Sequence, residues 1–312
     1  MADEFRDARS GTAEQNTYSG LTMPRPAEPD DLYTLLATPS LHDPILLIHL
    51  TGWIDAGGCA GTALDTILDQ IDETPIARFE TEWLLDHRAR RPIMHIVEAV
   101  TAGLDWPEIQ LVAGTDSTGN DLLVLHGAEP DHNWRTFCEA VVGLAQRFGV
   151  TRAIGLGAYP ASSPHTRPSR LSATASTPEL ASLGFIPATL DVPAGMQAAV
   201  EYALHEAGVP AVGLWAQVPH YISGASYPAA SLALVDGLVG AAGLVFDSSQ
   251  LAADALATRN RLDGLVSDED AHRDMLRALE KQYDDAVEAE ATISGVDVAD
   301  QIAEFLRSQD EP

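Results

Sequence analysis

One stretch, Ile45–Ile71, constrains the fold more than any other part of the chain, and it reads ILLIHLTGWIDAGGCAGTALDTILDQI. It opens with an apolar run to about Leu50, which is typical of a strand buried on both faces. A glycine-rich turn, Gly52–Gly58, follows, and apolar residues then recur with the spacing of one helix face. A strand, a tight turn and a helix in this order indicate an open α/β sheet, in which ligands bind at the carboxyl ends of the strands.

Asp55 and Cys59 belong to this turn and the helix start, where a ligand is expected. The glycine spacing matches neither the dinucleotide-binding fingerprint nor the phosphate-binding P-loop, which also needs a lysine. The chain's one lysine, Lys281, is far away. Two interpretations of Asp55 stay open, because its carboxylate either caps the helix or contacts a ligand.

Polar residues follow two further predicted strands, Ala153–Ala158 and Pro210–Trp215. His165 and Arg167 come after the first strand, and His220 and Tyr221 come after the second. If the three strands are neighbours, Asp55 and these four residues line one pocket at the carboxyl ends of the strands. The alternative is that each polar residue serves only its own loop.

Three arginines, Arg88, Arg90 and Arg91, cluster in an otherwise acidic chain. Such a cluster is a candidate anion site or an interface with an acidic partner. The alternative is a set of individually weak ion pairs with the surplus carboxylates.

Composition excludes several classes of partner. The chain has 46 acidic against 18 basic residues, for a net charge of −28, which repels nucleic acid and anionic membranes. Two cysteines make no disulfide framework, and the amino terminus lacks the apolar segment of a signal peptide. We therefore expect a cytoplasmic protein. No catalytic, zinc-binding or cofactor motif is complete, so neither a metal nor a cofactor is predicted.

The chain is expected to divide into three parts. These are a flexible amino-terminal arm (1–30), an α/β domain (31–246) and a helical extension (247–312). Within the extension, the spacing of apolar residues predicts a charged helix over Asp268–Glu290 that packs on the body or on a second copy. Breaks in helical structure are expected at Gly264–Ser267 and at Gly295.

Several motifs together resemble the proteasome assembly chaperone 2 family in its actinobacterial form. They are Gly52–Gly58, Asp86–Pro92, Gly127–Pro130 with Trp134 and Phe137, Pro164–Pro168, and Gln217–Tyr221. The resemblance implies a three-layer α/β/α sandwich with a mostly parallel sheet, similar to the purine nucleoside phosphorylase and hydrolase type. It supplies no established catalytic residues. The chain ends in Gln309-Asp310-Glu311-Pro312 and lacks the hydrophobic-Tyr-any tail with which eukaryotic members dock on proteasome rings.

Two functions remain open. The first is a non-enzymatic, homo-oligomeric assembly or protein-binding factor, expected to be a trimer, whose link to proteasomes comes from the resemblance alone. The second is a small-molecule binder, or a hydrolase- or phosphorylase-like enzyme, that uses the pocket at the carboxyl ends of the strands.

Overall fold

The computed structural model describes residues 28–181, 186, 189, 191–267 and 270–309. The strands are β1 (Tyr33–Leu35), β2 (Ile45–Thr51), β3 (Thr74–Phe79), β4 (Ile93–Val97), β5 (Val100–Asp105), β6 (Ile109–Thr115), β7 (Asp121–Ala128), β8 (Arg152–Ala161), β9 (Leu171–Ala175) and β10 (Ala211–Pro219). The α-helices are α1 (Cys59–Leu68), α2 (Thr81–Leu84), α3 (Trp134–Phe148), α4 (Pro178–Ala181), α5 (Met196–Glu206), α6 (Pro228–Ala242), α7 (Ser249–Ser267) and α8 (Asp270–Gln309). Most of the expected arm, residues 1–27, lies outside the described residues.

Eight strands form one twisted sheet in the order β1-β3-β6-β7-β2-β8-β10-β9. The four central strands, β7, β2, β8 and β10, run parallel to one another, and the flanking strands pair antiparallel. Helices cover both faces, so the expected three-layer α/β/α sandwich is confirmed. The carboxyl ends of the central strands therefore meet at one edge of the sheet, which is where ligands bind in such folds.

The hydrophobic core has two halves, one on each face of the sheet. Side chains alternate along β2, so Leu46 and Ile48 pack with α3 and α5 on one face while Leu47 packs with α1 and α6 on the other. This is the two-sided burial that the apolar run at Ile45 predicts. Because both faces of β2 are buried, its register is fixed, and the side chains at its carboxyl end have defined positions.

Two glycines in β8 make room for large neighbours. A Cβ atom on Gly157 would lie 2.3 Å from the ring of Trp215, its cross-strand partner in β10. A Cβ atom on Gly155 would lie 2.0 Å from the carboxyl of Glu201 in α5. Burial raises the pKa of Glu201 to about 8, and Gln197 donates a hydrogen bond to this carboxyl at 3.1 Å. Glu201 is therefore a neutral, buried acid at pH 7.

Strands β4 and β5 form a separate two-stranded hairpin that does not pair with the main sheet. Its apolar side chains are exposed on both faces, and Ile93, Val97 and Val100 are 65%, 61% and 67% exposed. At its base, the Trp106 ring packs edge-on against His87, with centroids 5.1 Å apart. A lone two-stranded hairpin is marginally stable in water, so this one lacks the packing that normally holds a strand pair.

The carboxyl-terminal helices are longer than the sequence predicts. Helix α7 continues through Gly264 to Ser267, and α8 continues through Gly295 to Gln309, so both predicted breaks are wrong. A glycine inside a helix costs only about 1 kcal/mol, and good helix formers on either side offset that. The helix predicted over Asp268–Glu290 lies within α8 from its described start at Asp270. None of the helices in the described part of the chain combines the length and the apolar character that a membrane span requires.

Candidate functional site

Asp55 holds the first turn of α1. Its two carboxylate oxygens accept hydrogen bonds from the backbone N–H groups of Ala60 at 2.8 Å and Gly61 at 3.0 Å. The chain enters this turn through Gly57, whose φ of +65° favours glycine and whose Cβ would lie 2.4 Å from the Ala225 carbonyl. The carboxylate therefore has the capping role that was one of its two sequence interpretations, with its oxygens turned towards the helix start.

Cys59 follows in the first turn of α1 and is buried. Burial raises the pKa of its thiol to about 11, and the thiol donates a hydrogen bond to the Tyr227 carbonyl at 3.5 Å. A thiol in this state is protonated at neutral pH, as is usual for a buried cysteine that serves in packing.

His165 lies in the β8 loop, defined here as Pro164–Arg170, and its side chain is fully buried. Its Nδ1 is 2.7 Å from the Tyr221 hydroxyl, its backbone N–H donates to the same oxygen at 2.9 Å, and its Nε2 is 3.2 Å from Asp263 in α7. Burial lowers the pKa of His165 against the opposing effect of Asp263. This network joins three separate elements of the chain through one imidazole.

The rest of the β8 loop binds helix α8. Arg167 makes two parallel hydrogen bonds to Asp284, at 2.8 and 2.7 Å, and a third to Glu280 at 3.4 Å. Arg170 pairs with Glu290, and its guanidinium lies 5.7 Å from the centre of the Tyr283 ring. The loop's cationic groups are thus occupied by carboxylates of the same chain.

The five residues predicted to share a pocket separate into groups. His165, Tyr221 and His220 are neighbours, and exposed His220 packs edge-on against Tyr221 with centroids 5.4 Å apart. Arg167 faces α8. In the described part of the chain, no hydrogen bond or ion pair joins Asp55 to His165, Arg167 or His220. Whether these residues share a ligand stays a prediction.

The arginine cluster is also divided. Arg90 is half-buried and pairs with Asp131, and its guanidinium lies 4.0 Å from Glu129. Arg88 and Arg91 are exposed. Arg90 therefore fastens its segment to the body, whereas the two exposed arginines lie immediately before the β4–β5 hairpin.

A cleft of about 360 Å³ lies where β2 and β7 end, and sequence reasoning missed it. We call it the β2–β7 cleft, and it is lined by His49, Thr51, Gly61, Leu64, Asp65, Leu68, Pro107, Glu108, His126, Gly127 and Ala128. His49 and His126 are direct cross-strand partners, so their side chains project from the same face of the sheet. The available signal was a histidine inside the apolar run ILLIHL.

The two imidazoles of this cleft are incompletely hydrogen-bonded. The Nε2 atoms of His49 and His126 are both buried and have no hydrogen-bond partner. Burial lowers the pKa of His126, so its ring is neutral at pH 7. Among the described residues, no group of three or more His, Cys, Asp or Glu side chains is arranged to hold a metal ion.

Comparisons with known proteins place the chain in a family. Residues 49–266 match the model of the PAC2 family. A Mycobacterium tuberculosis protein of unknown function is 34% identical with a TM-score of 0.78, and the match covers 88% of this chain and 95% of that one. A PAC2 family protein from Streptomyces avermitilis is 32% identical with a TM-score of 0.67, covering 73% and 98%.

A third similar structure is a proteasome-assembly chaperone homologue from Mycobacterium tuberculosis. It is 28% identical with a TM-score of 0.69, and the match covers 74% of this chain and 99% of that one. Among curated proteins, none matches the sequence. The resemblance drawn from the sequence motifs is confirmed, and the chain belongs to the PAC2 family.

Proposed function

We propose that this chain is a non-enzymatic, homo-oligomeric assembly or protein-binding factor of the cytoplasm, with a role related to proteasome assembly. The observation that carries the proposal is the β4–β5 hairpin, which exposes Ile93, Met94, Ile96, Val97, Val100 and Leu104. Contiguous apolar patches of this kind mark protein-interaction sites. The proteasome link rests on the name of the 28% identical chaperone homologue, and the cytoplasmic location is supported by two free, buried thiols.

The hairpin suits a second copy of the same chain. Two chains of net charge −28 repel each other, so they associate best through a surface of low charge. Only two acidic side chains, Glu98 and Asp105, lie between Ile93 and Asp105, and Asp105 is 2.6 Å from His95. The exposed Arg88 and Arg91 beside the hairpin add cationic groups for the acidic surface of a neighbouring copy.

Light scattering coupled to size-exclusion chromatography tests self-association. We expect wild-type mass to be a multiple of 33.2 kDa, with three chains as the proposed number. The triple variant I93S/V97S/V100S removes apolar contacts and should elute as one chain. A matched control, V192S/V239S/L256S, changes equally exposed apolar residues elsewhere and should keep the wild-type mass.

A wild-type mass of 33.2 kDa at tens of micromolar protein would overturn self-association, and an unchanged oligomeric mass of the hairpin variant would overturn the hairpin as the interface. The proteasome role has its own test, which is co-expression with proteasome α and β subunits. Recovery of the chain with partly assembled rings is expected, whereas recovery of mature rings at the same yield and rate without the chain would contradict that role.

A further inference from the structure

The β2–β7 cleft contains a buried ring nitrogen without a hydrogen-bond partner. His49 is 3% exposed, and its Nδ1 lies 3.2 Å from the Leu156 carbonyl oxygen. Since a carbonyl only accepts, Nδ1 carries a proton, and in the tautomer with its single proton there Nε2 presents a lone pair. That Nε2 has no hydrogen-bond partner and lies 3.9 Å from the Asp55 carboxylate. Buried polar atoms without partners are rare and call for a specific explanation.

A second ring nitrogen without a partner lies beside the first. His126 is the cross-strand partner of His49, its ring is neutral, and its buried Nε2 also lacks a partner. With the proton of each ring on Nδ1, two neighbouring lone pairs face one cleft and match a ligand group that donates several N–H bonds.

The charged residues that line the cleft indicate the charge of its ligand. Asp65 and Glu108 line it, and no lysine or arginine is among the lining residues. Carboxylates without a nearby cation repel phosphates and carboxylates and attract ammonium groups. The remaining wall is apolar and includes Leu64, Leu68 and Pro107, which suits a hydrocarbon body. The volume lies within the usual range for small-molecule sites.

We propose that the β2–β7 cleft binds a small organic ammonium compound. Its N–H groups donate to the Nε2 atoms of His49 and His126, its charge faces Asp65 and Glu108, and its apolar body lies against Leu64, Leu68 and Pro107. This site differs in location from the predicted pocket around Arg167.

Gly61 provides a variant that blocks the site without removing any of its polar groups. A Cβ atom there would lie 3.6 Å from both His49 Nε2 and an Asp55 oxygen, which is ordinary van der Waals contact. The substitution G61A therefore keeps the fold and covers the unpartnered nitrogen with a methyl group. The matched control is G143A in α3, where an added Cβ meets nothing within 4 Å.

The probe is 2-phenylethylamine, which joins an ammonium group to an apolar body. It is compared with 3-phenylpropionate, which has a similar body and the opposite charge. With ¹⁵N-histidine-labelled protein, we expect the amine to shift the Nε2 resonances of His49 and His126 with a dissociation constant on the order of 1 mM or below. The propionate should shift neither resonance.

The variants make the result decisive. G61A should weaken amine binding at least tenfold and melt no lower than the wild type, whereas G143A should bind like the wild type. The proposal is overturned if the amine leaves both resonances unchanged, if the propionate binds equally well, or if G61A binds with wild-type affinity.

Discussion

His165 and His49 are equally buried, each 3% exposed, and both lie near the carboxyl end of a central strand, yet their surroundings differ in one respect. Both ring nitrogens of His165 have partners within the chain, Tyr221 and Asp263. His49 has a partner for Nδ1 alone. The β8 loop is therefore a finished internal contact, whereas the β2–β7 cleft retains hydrogen-bonding capacity for a ligand.

This difference shows how polar residues should be weighted in a sequence. The loop around His165 attracts attention because polar and cationic residues are concentrated there, but the same richness lets it bind the chain's own acidic helix. A single histidine within an apolar strand is less conspicuous. Its position is more informative, because a buried strand rarely retains a polar side chain without a partner for it.

The largest expected effect separates the two histidines directly. His165→Phe leaves Tyr221 and Asp263 without their imidazole partner, and we expect the free energy of unfolding to fall by about 3 kcal/mol. His49→Phe loses one hydrogen bond but also removes an unpartnered nitrogen, and the adjacent cleft has room for the ring. The free energy of unfolding of this variant should change by no more than about 1 kcal/mol. Urea unfolding monitored by tryptophan fluorescence measures both, and equal losses would contradict the distinction.

A third buried polar group, Glu201, tests whether burial alone marks a ligand site. The unfolded carboxyl loses its proton near pH 4.5, whereas the folded one keeps it up to about pH 8. The stability that the carboxyl of Glu201 contributes is therefore fully present below pH 4.5 and is lost as the pH rises to about 8. Glu201→Gln stays neutral and still accepts the Gln197 hydrogen bond. Relative to wild type, we expect it to gain about 3–4 kcal/mol between pH 5 and pH 8.

Unfolding curves at several pH values check this difference, with exposed Glu139→Gln in α3 as the control. If Glu201→Gln follows the wild-type pH dependence, the carboxyl is charged in the folded protein. If Glu201→Gln instead changes amine binding, Glu201 and the β2–β7 cleft are coupled across the sheet and do not act independently.

The pH dependence of the cleft should have the opposite sign. The unfolded chain protonates His126 near pH 6.5, whereas burial lowers the pKa in the folded protein. Stability contributed by the neutral ring is present above pH 6.5 and is lost as the pH falls below it, by at most about 1.4 kcal/mol per pH unit. His126→Gln should flatten the wild-type decline between pH 7 and pH 5.5 in thermal unfolding. An unchanged slope would contradict a neutral buried ring.

The smallest expected effect concerns the two helix glycines. Gly61→Ala and Gly143→Ala each remove a flexible residue from a helix, and each should raise the free energy of unfolding by about 0.5–1 kcal/mol. Chemical denaturation of both variants checks this. A marked loss of stability in Gly61→Ala alone would mean that the methyl group strains the Asp55 cap.

Local sequence patterns predicted individual strands and helices, whereas the candidate sites depend on contacts between residues that are distant in the sequence. The β2–turn–α1 unit and the helix Trp134–Phe148 follow from hydrophobic period and terminal glycines, and the structure contains both. The cleft depends on the register that places His49 opposite His126 in a different strand, which periodicity does not reveal. The partners of Arg167 likewise lie on a distant helix. The helices continue through Gly264 and Gly295, so the surrounding helical sequence outweighs the low helix propensity of glycine at both positions.

The pairing of Arg167 with Asp284 spans 117 residues of sequence, and this separation has a consequence for the newly made chain. Ribosomes extend a polypeptide from its amino end at about 5–20 residues per second, so the β8 loop emerges on the order of ten seconds before its helical partner. During that interval, the parallel centre of the sheet can form while Arg167 and Arg170 still face water. Helix α8 then closes over them as one of the last steps of folding.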